Sequence, residues 1–269
     1  MRIWISLSLS LALGFVLAVT PAELDAGRSQ NAGKLKAAAE GDVTEQINQT
    51  ITLAPGSNVT IRSINGRVNI ETWDGDKAEI NITIKASDRE AMERRPLLVD
   101  HTPSSLIIRT EEDREGRRGG WNRGWVRHDV RLKLPKSINL KISSVNGVVS
   151  VGAITGEVGL SSINGKVEVA QAGTATELSS INGRVSLSLL RLGEGGLRVS
   201  SVNGGIEIGL PSTTNAEVDV HSVNGGIDSD LPITVVGEMK RGQLRGTIGS
   251  GGPHITITSV NGGVTLRRN

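Results

Sequence analysis

The chain has 269 residues, with 30 lysines and arginines against 28 aspartates and glutamates, so bulk charge selects no partner. It has no cysteine, which excludes disulfides, thiolate metal sites, a cysteine nucleophile and a lipid-modified cysteine at a signal cleavage point. Tyrosine is absent and phenylalanine occurs once, so a core of valine, isoleucine and leucine is predicted.

The N-terminal segment 1–22 has the pattern of a secretory signal peptide. Arg2 precedes an almost wholly apolar run from Ile3 to Val19, and small residues suitable for cleavage follow it. The alternative is an uncleaved anchor, for which this run is at the short limit of a membrane span. Cleavage predicts an exported protein that is periplasmic, cell-surface or secreted and has no stable membrane span. The polar residues 23–46 are predicted to form a linker.

Residues 47–136 are predicted to form an N-terminal β region. Strand-like runs lie at 50–53, 59–71, 78–85, 97–101, 106–110 and 126–134. An antiparallel sheet is the simplest arrangement for them, because it would cap the open end of a stack of repeats that begins near residue 137.

One loop in this region, residues 111–125, is the candidate ligand site. Guanidinium groups match phosphates and carboxylates, and indoles stack on sugars or bases. The residues proposed for this role are Arg117, Arg118, Trp121, Arg123 and Trp125. The alternative is a solvated loop whose tryptophans pack on the sheet. Neighbouring acidic residues balance most of the arginines, so nucleic acid is not an expected partner.

The tetrapeptide Ser-(Ile/Val)-Asn-Gly recurs along the chain and organises residues 137–269. Its last two residues are predicted to form structural corners, at Asn65-Gly66, Asn146-Gly147, Asn164-Gly165, Asn182-Gly183, Asn203-Gly204, Asn224-Gly225 and Asn261-Gly262. The usual spacing of 18 to 21 residues widens before Asn261. Residues 243–248 fit the same frame and are interpreted as a worn copy in that gap.

Two folds are compatible with Asn-Gly between alternating strands. A two-residue hairpin would leave the isoleucine or valine before each asparagine exposed. A corner between stacked parallel strands is expected to turn that residue inward, while serine and asparagine form ladders and glycine accepts positive φ. The regular spacing favours the second fold, an all-β, single-stranded parallel β-helix or solenoid with an N-terminal antiparallel β cap.

No motif for catalysis or metal binding is present, so neither enzymatic activity nor a cofactor is predicted. The four histidines are dispersed, and no nucleophile elbow or P-loop occurs. Glu168, Glu207 and Asp228 hold equivalent repeat positions, and stacking is expected to bring them together, although Ser186 interrupts their row. A polysaccharide-acting β-helix enzyme is therefore the weaker alternative.

The tandem repeats, the N-terminal signal and the closing stretch from Leu244 to Leu266 resemble the bacterial putative-adhesin family, whose members carry β-strand repeats and a domain of unknown function. The resemblance covers roughly residues 45–269. It implies an exported parallel β-helix without catalytic residues, and it assigns no role to loop 111–125.

The leading functional hypothesis is a non-enzymatic binding or scaffold protein of the cell envelope. Its regular β face would bind an envelope glycan or protein. The second hypothesis is a structural subunit that self-associates end to end. It rests on Leu266, which lies so near the end of the sequence that little chain remains to cap the last strand.

Overall fold

The structure is a computed structural model that describes residues 42–111, 124–236 and 241–269. Within these residues it contains twenty strands and one short helix, α1 (Arg89–Glu93), so the predicted all-β class is confirmed. The segment 1–22 and most of segment 23–46 lie outside the described residues. No helix in the described ranges has the length and apolar character needed to cross a bilayer.

The N-terminal strands extend two sheets. They are β1 (Val43–Thr52), β2 (Asn58–Trp73), β3 (Lys77–Ala86), β4 (Leu97–Thr102), β5 (Ser105–Thr110) and β6 (Val126–Pro135). β1, β3 and β6 pair antiparallel, and β6 lies parallel to the second half of β2. β4 pairs antiparallel with β5, which lies parallel to the first half of β2. Because β1 begins at Val43, the end of the predicted linker is part of a strand.

Beyond β6 the chain forms pairs of strands joined by the repeat tetrapeptide, and we call each pair a coil. The coils are β7 (Asn139–Asn146) with β8 (Val149–Ala153), β9 (Glu157–Asn164) with β10 (Val167–Ala172), β11 (Thr174–Asn182) with β12 (Val185–Leu189), β13 (Leu197–Asn203) with β14 (Ile206–Leu210), β15 (Ala216–Asn224) with β16 (Ile227–Ser229), and β19 (His254–Asn261) with β20 (Val264–Arg268). Between the last two coils lie β17 (Ile233–Val235) and β18 (Gln243–Ile248).

The first strands of the coils form one parallel sheet, and the second strands form another. The first sheet runs in the order β2, β7, β9, β11, β13, β19, β15. The second sheet runs in the order β2, β8, β10, β12, β14, β20, β16. The hairpin alternative is therefore wrong, because strands joined by a two-residue hairpin pair with each other antiparallel.

The order of coils in the stack departs from their order in the sequence. The coil β19–β20 lies between β13–β14 and β15–β16, so Leu266 is not at an open end, contrary to expectation. Residues 243–248 do not form a parallel register either. They form β18, which runs antiparallel to β15 and pairs Gly246 with Val218. The chain has reversed direction before β18, so its resemblance to a repeat copy does not determine how it pairs.

The core is aliphatic, as predicted. Alternate residues of most strands point inward, for example Val158 and Leu160 on β9 and Val167 and Val169 on β10. Burial of each such side chain contributes on the order of 2 kcal/mol. The buried hydrophobic side chains of both sheets belong to one cluster, and the members of that cluster in the described residues include no aromatic residue. The outward positions and the corners are therefore free to carry binding groups.

Candidate binding edge

Each coil passes from the first sheet to the second at its tetrapeptide, and equivalent corners lie on one another. We call this line of corners the repeat edge. It consists of 144–147, 162–165, 180–183, 201–204, 259–262 and 222–225, together with Asn65 and Gly66 of β2. Parallel register places each asparagine beside the asparagine of the next coil.

The asparagine side chains form a continuous amide ladder along the repeat edge. Nδ2 of each asparagine donates to Oδ1 of the next one at 2.6 to 3.1 Å, in the order Asn224, Asn261, Asn203, Asn182, Asn164, Asn146, Asn65. Asn65 ends the ladder by donating to the carbonyl oxygen of Val126 at 2.8 Å. An amide has two N–H groups and two lone pairs, so each internal rung keeps one of each for a partner.

Glycine follows each asparagine because adjacent corners approach too closely for a side chain. A Cβ on Gly165 would lie 1.7 Å from the carbonyl oxygen of Gly147, and a Cβ on Gly183 would lie 2.0 Å from that of Gly165. Both residues also have positive φ, at +154° and +156°. Backbone contact between corners therefore holds the rungs at the interstrand spacing of about 4.8 Å.

The aliphatic residue before the asparagine is exposed in five of the seven copies, and for these copies the prediction that the corner would turn it inward is wrong. Val145, Ile163, Ile181 and Val202 are between 38% and 44% exposed, and Val223 is 72% exposed. In these five copies the serine takes the inward place instead, and the buried serines are Ser144, Ser162, Ser180, Ser201 and Ser222.

The first copy differs from the others because its strand contains a bulge. Ser63 has φ +58°, and the register shifts so that Ile64 lies opposite Ser144. Ile64 is fully buried as a result, and its carbonyl oxygen accepts a hydrogen bond from Ser144 Oγ at 3.2 Å. The aliphatic row of the repeat edge therefore begins at Val145.

Much of the exposed apolar surface of the described residues lies at this edge. The large hydrophobic side chains exposed there are Trp125, Val145, Val148, Ile163, Ile181, Val202 and Val223. Those exposed elsewhere are Leu190, Val235 and Val236. Isolated exposed aliphatic residues are ordinary, but an aligned row of them marks an interaction surface.

Basic side chains flank the row at the end of the stack near β2. Arg67, Lys166 and Arg184 each follow a corner glycine, and Arg62 lies beside the corner of β2. Lys166 contacts Glu168, whereas the three arginines make no ion pair with any described residue. In the coils farther along the stack glycine occupies the position that follows the corner, at Gly205, Gly263 and Gly226. Positive charge is therefore concentrated at one end of the repeat edge.

The candidate ligand loop is described only at its ends. Arg117, Arg118, Trp121 and Arg123 lie outside the described residues. Trp125 is 44% exposed, and its backbone N–H donates to Ser87 Oγ at 3.2 Å. The segment connects β5 in the first sheet with β6 in the second, and β6 begins at Val126, the residue that accepts the last ladder bond.

His128 lies on β6 beneath Gly66 and is buried. Burial lowers its pKa to about 4, so the imidazole is neutral at neutral pH. Neither ring nitrogen has a hydrogen-bond partner among the described residues. In the same ranges no three histidine, aspartate or glutamate side chains are placed to hold a metal ion.

The acidic row considered for catalysis does not assemble. The register across the second sheet reads Glu168, Ser186, Glu207, Thr265, Asp228. The inserted strand β20 contributes Thr265, so Glu207 and Asp228 are not on adjacent strands, contrary to expectation. Glu207 Oε1 lies 3.1 Å from Arg267 Nε, and Glu168 contacts Lys166. Paired acids on an exposed strand suit solubility better than proton transfer.

The outer face of the first sheet is less regular than the repeat edge. A shallow groove of about 580 Å³ lies where Gly159 leaves a gap between Lys141 on β7 and Glu177 on β11. Its charges are mixed, and serine hydroxyls line the side nearest the corner, at Ser143, Ser161 and Ser179. The repeated chemical pattern of the molecule therefore lies at the edge and not on this face.

Comparison with known proteins gives a family match for the C-terminal part. Residues 155–267 match the family model described as Toastrack DUF4097. A solved structure described as a putative cell adhesion protein from Clostridium sporogenes is 12% identical, and the match covers 84% of this chain and 100% of that one with a TM-score of 0.44. A putative adhesin from Bacteroides fragilis is 14% identical, with coverages of 84% and 97% and a TM-score of 0.38.

The curated proteins contain no match to this chain. The family model covers four complete coils, the strands β17, β18 and β19 and most of β20, so it includes five of the seven copies of the tetrapeptide. The chain thus matches the Toastrack DUF4097 family over residues 155–267, and the predicted resemblance to a family with a domain of unknown function is confirmed.

Proposed function

We propose that the chain is a non-enzymatic, exported parallel β-solenoid that binds a component of the cell envelope through the repeat edge. The amide ladder is the observation that carries this proposal. Internal rungs such as Asn164 and Asn182 offer an N–H group and a lone pair beside an exposed aliphatic side chain. Since rungs repeat at about 4.8 Å, the edge suits an extended partner, such as a glycan chain or a protein strand, better than a small metabolite.

The charges of the edge favour an anionic partner. Arg62, Arg67 and Arg184 lie beside the ladder without acidic partners among the described residues. Guanidinium groups bind carboxylates and phosphates through paired hydrogen bonds, so an anionic glycan or an acidic protein segment would satisfy them. Trp125, at the same end of the edge, adds an exposed aromatic surface for stacking.

Export is supported by the N-terminal segment 1–22, whose charged start, apolar run and small residues have the order found in signal peptides. Determining the N-terminal residue of protein recovered from the producing cell tests this part. A start at residue 23 or 27 is expected, whereas an intact Met1 in a cytoplasmic fraction would contradict export.

The end-to-end polymer has less support than the binding protein. That hypothesis rested on the expectation that the last strand of the sequence would be uncapped. In the structure, however, β20 lies inside the stack between β14 and β16. At that end of the first sheet, β15 is covered by β18, which runs antiparallel to it. A parallel coil of another copy therefore could not continue this sheet in register without displacing β18.

The binding proposal is tested by co-sedimentation of residues 27–269 with isolated cell-envelope fragments. Two variants alter the edge: Ile163→Ser with Ile181→Ser removes apolar contact, and Arg67→Ser with Arg184→Ser removes charge. The matched control combines Leu190→Ser with Arg198→Ser, which makes the same kinds of change at exposed positions away from the edge.

Each edge variant is expected to bind envelope fragments at least about tenfold more weakly than the control, which corresponds to roughly 1.4 kcal/mol. Digestion of the fragments with protease or with glycan hydrolases then identifies the partner class. Equal binding by the edge variants and the control would refute the repeat edge as the binding surface.

A further inference from the structure

The coil β19–β20 is the one that lies out of sequence order in the stack. β19 pairs with β13 on one side and with β15 on the other, and β20 pairs likewise with β14 and β16. Its inward residues are fully buried, namely Ile255, Ile257, Ser259, Val264 and Leu266. The coil therefore completes the core by filling a slot between two coils that precede it in the sequence.

The slot recognises a repeat motif and not a unique sequence. Residues 201–205, 222–226 and 259–263 all read Ser-Val-Asn-Gly-Gly. Asn261 Nδ2 donates to Asn203 Oδ1 at 2.8 Å, and Asn224 Nδ2 donates to Asn261 Oδ1 at 2.9 Å. Backbone hydrogen bonds also join the repeat motifs of neighbouring coils, since Gly204 N–H donates to the carbonyl oxygen of Asn261 at 3.0 Å. Any copy of this motif in register satisfies the same groups.

The connection into the slot is a tight crossing of residues 249–253. β18 lies on one side of β15 and β19 on the other, so this segment must pass the beginning of β15. It does so with Gly249, Gly251 and Gly252 at φ +60°, +78° and +145°. Ser250 N–H donates to Asn215 Oδ1 at 2.9 Å and holds the crossing against the chain that leads into β15.

Residues 249–253 can also adopt an extended conformation that does not cross β15. If the glycines adopt extended backbone angles, the segment no longer passes the start of β15, and β19–β20 leaves its own slot. Short connections of this type are the hinges through which identical elements are exchanged between copies. The exchanged coil would make the same ladder bonds and bury the same side chains, so the closed and exchanged forms differ mainly in the connection and in protein concentration.

We propose that the slot between β13–β14 and β15–β16 is a binding site for the β19–β20 coil of a second copy of this chain, and that two copies join by reciprocal exchange of this coil. This interaction involves the end of the stack opposite to β1 and β4. It does not depend on the envelope binding proposed for the repeat edge.

The absence of cysteine from the chain permits a direct test with single thiols. Ser200 and Thr258 are exposed and directly opposite on β13 and β19. A Ser200→Cys chain and a Thr258→Cys chain are mixed, unfolded in urea, refolded together at high protein concentration and then oxidised. A disulfide between the two chains is expected, because exchange brings residue 258 of one copy beside residue 200 of the other.

The matched control mixes the Ser161→Cys chain with the Thr258→Cys chain. Ser161 is exposed in the same outward row, but β9 is separated from β19 by β11 and β13. At least about a tenfold excess of the 200–258 disulfide over the 161–258 disulfide is expected. A Ser200→Cys/Thr258→Cys double variant at low concentration verifies the register through a disulfide within one chain. If that disulfide forms while the two mixtures give equal yields, the exchange proposal is wrong.

Gly249→Val provides a second test that needs no thiol. A Cβ at residue 249 would lie 2.1 Å from Asn215 Oδ1, and φ +60° disfavours a branched side chain. The variant should therefore disfavour the closed crossing and raise the dimer fraction measured by light scattering severalfold at equal concentration. A dimer fraction no higher than that of the unmodified chain would contradict the role of residues 249–253 as the hinge of exchange.

Discussion

At the scale of single residues, the repeat edge depends on glycines that have no room for a side chain. The carbonyl oxygen of one corner occupies the place where the Cβ of the next would be. This contact involves backbone on both sides, so it cannot be relieved by a change of rotamer. The corners require the glycine of Asn-Gly because there is no room for a Cβ. In hairpins the reason is different, since both residues of the turn need positive φ.

Gly165→Ala tests this steric requirement. The added methyl group would overlap the carbonyl oxygen of Gly147 at a residue with φ +154°, so a loss of about 3 kcal/mol in the free energy of unfolding is expected. Urea denaturation followed by far-UV circular dichroism measures it. Gly159→Ala on the same coil is the control, because the nearest atom to its Cβ would be 4.0 Å away. Equal stability of the two variants would show that the corners separate without cost.

The residue scale also shows where sequence patterns were insufficient. Alternation correctly placed the inward valines and leucines of β9 and β10. The expected corner gave the wrong side for Ile163, because the strand keeps its alternation as far as the corner and Ser162 takes the inward position. The bulge at Ser63 reverses this in the first copy and buries Ile64. One residue of register decides which side chain faces the core, and the tetrapeptide alone does not specify that register.

At the scale of elements, the amide ladder couples the coils. Asn164 both donates to Asn146 and accepts from Asn182, at 2.8 and 2.6 Å. Asn224 stands at the end of the ladder and makes one ladder bond, to Asn261. Because every ladder bond is donated in the same direction, removal of a middle asparagine interrupts the ladder, whereas removal of the last asparagine only shortens it.

Asn164→Ala is therefore expected to cost about twice as much stability as Asn224→Ala. Exposed hydrogen bonds contribute modestly, so a loss of about 1 kcal/mol is expected for Asn164→Ala and roughly half of that for Asn224→Ala. The midpoints of urea denaturation give both values. A double variant with Asn146→Ala should lose less than the sum of the two single losses, since residues 146 and 164 share one bond. Additive losses would mean that the ladder does not couple adjacent coils.

Elements were predicted better than their pairing. The strand runs in residues 50–134 correspond closely to strands of the structure, since their positions follow from local alternation and turn residues. Residues 243–248 also form a strand, but its direction depends on how the chain enters it. Of the residues proposed for ligand binding, Trp125 lies exposed at the end of the amide ladder. The basic residues after the corner glycines were not singled out, although they recur at a fixed position in the repeat.

At the scale of the whole molecule, the order of the coils could not be deduced from the sequence. The same five residues, Ser-Val-Asn-Gly-Gly, occur in the coils that contain Asn203, Asn224 and Asn261. Each of these coils can stack on either of the others with the same ladder bonds. The strand β18 and the crossing at residues 249–253 break this degeneracy, because they hold β15 on the side that places β19 against β13.

Leu266→Arg distinguishes the observed order from one in which the last strand of the sequence lies at the end of the stack. In the observed order Leu266 is fully buried between β14 and β16, and an arginine there has no acidic partner in the core. Burial of an unpaired charge costs several kcal/mol, so the variant should unfold at a much lower temperature or fail to fold. Thermal denaturation followed by circular dichroism measures this loss.

Arg268→Ser on the same strand is the control, since Arg268 is exposed and its replacement should leave the melting temperature nearly unchanged. If Leu266 instead lay on an open end, Leu266→Arg would remain folded and would only reduce concentration-dependent assembly in light scattering. A stable Leu266→Arg protein would therefore contradict the insertion of β19–β20. The observed stack order requires that Leu266→Arg destabilises the protein and that Arg268→Ser does not, because residue 266 is in the core and residue 268 is outside it.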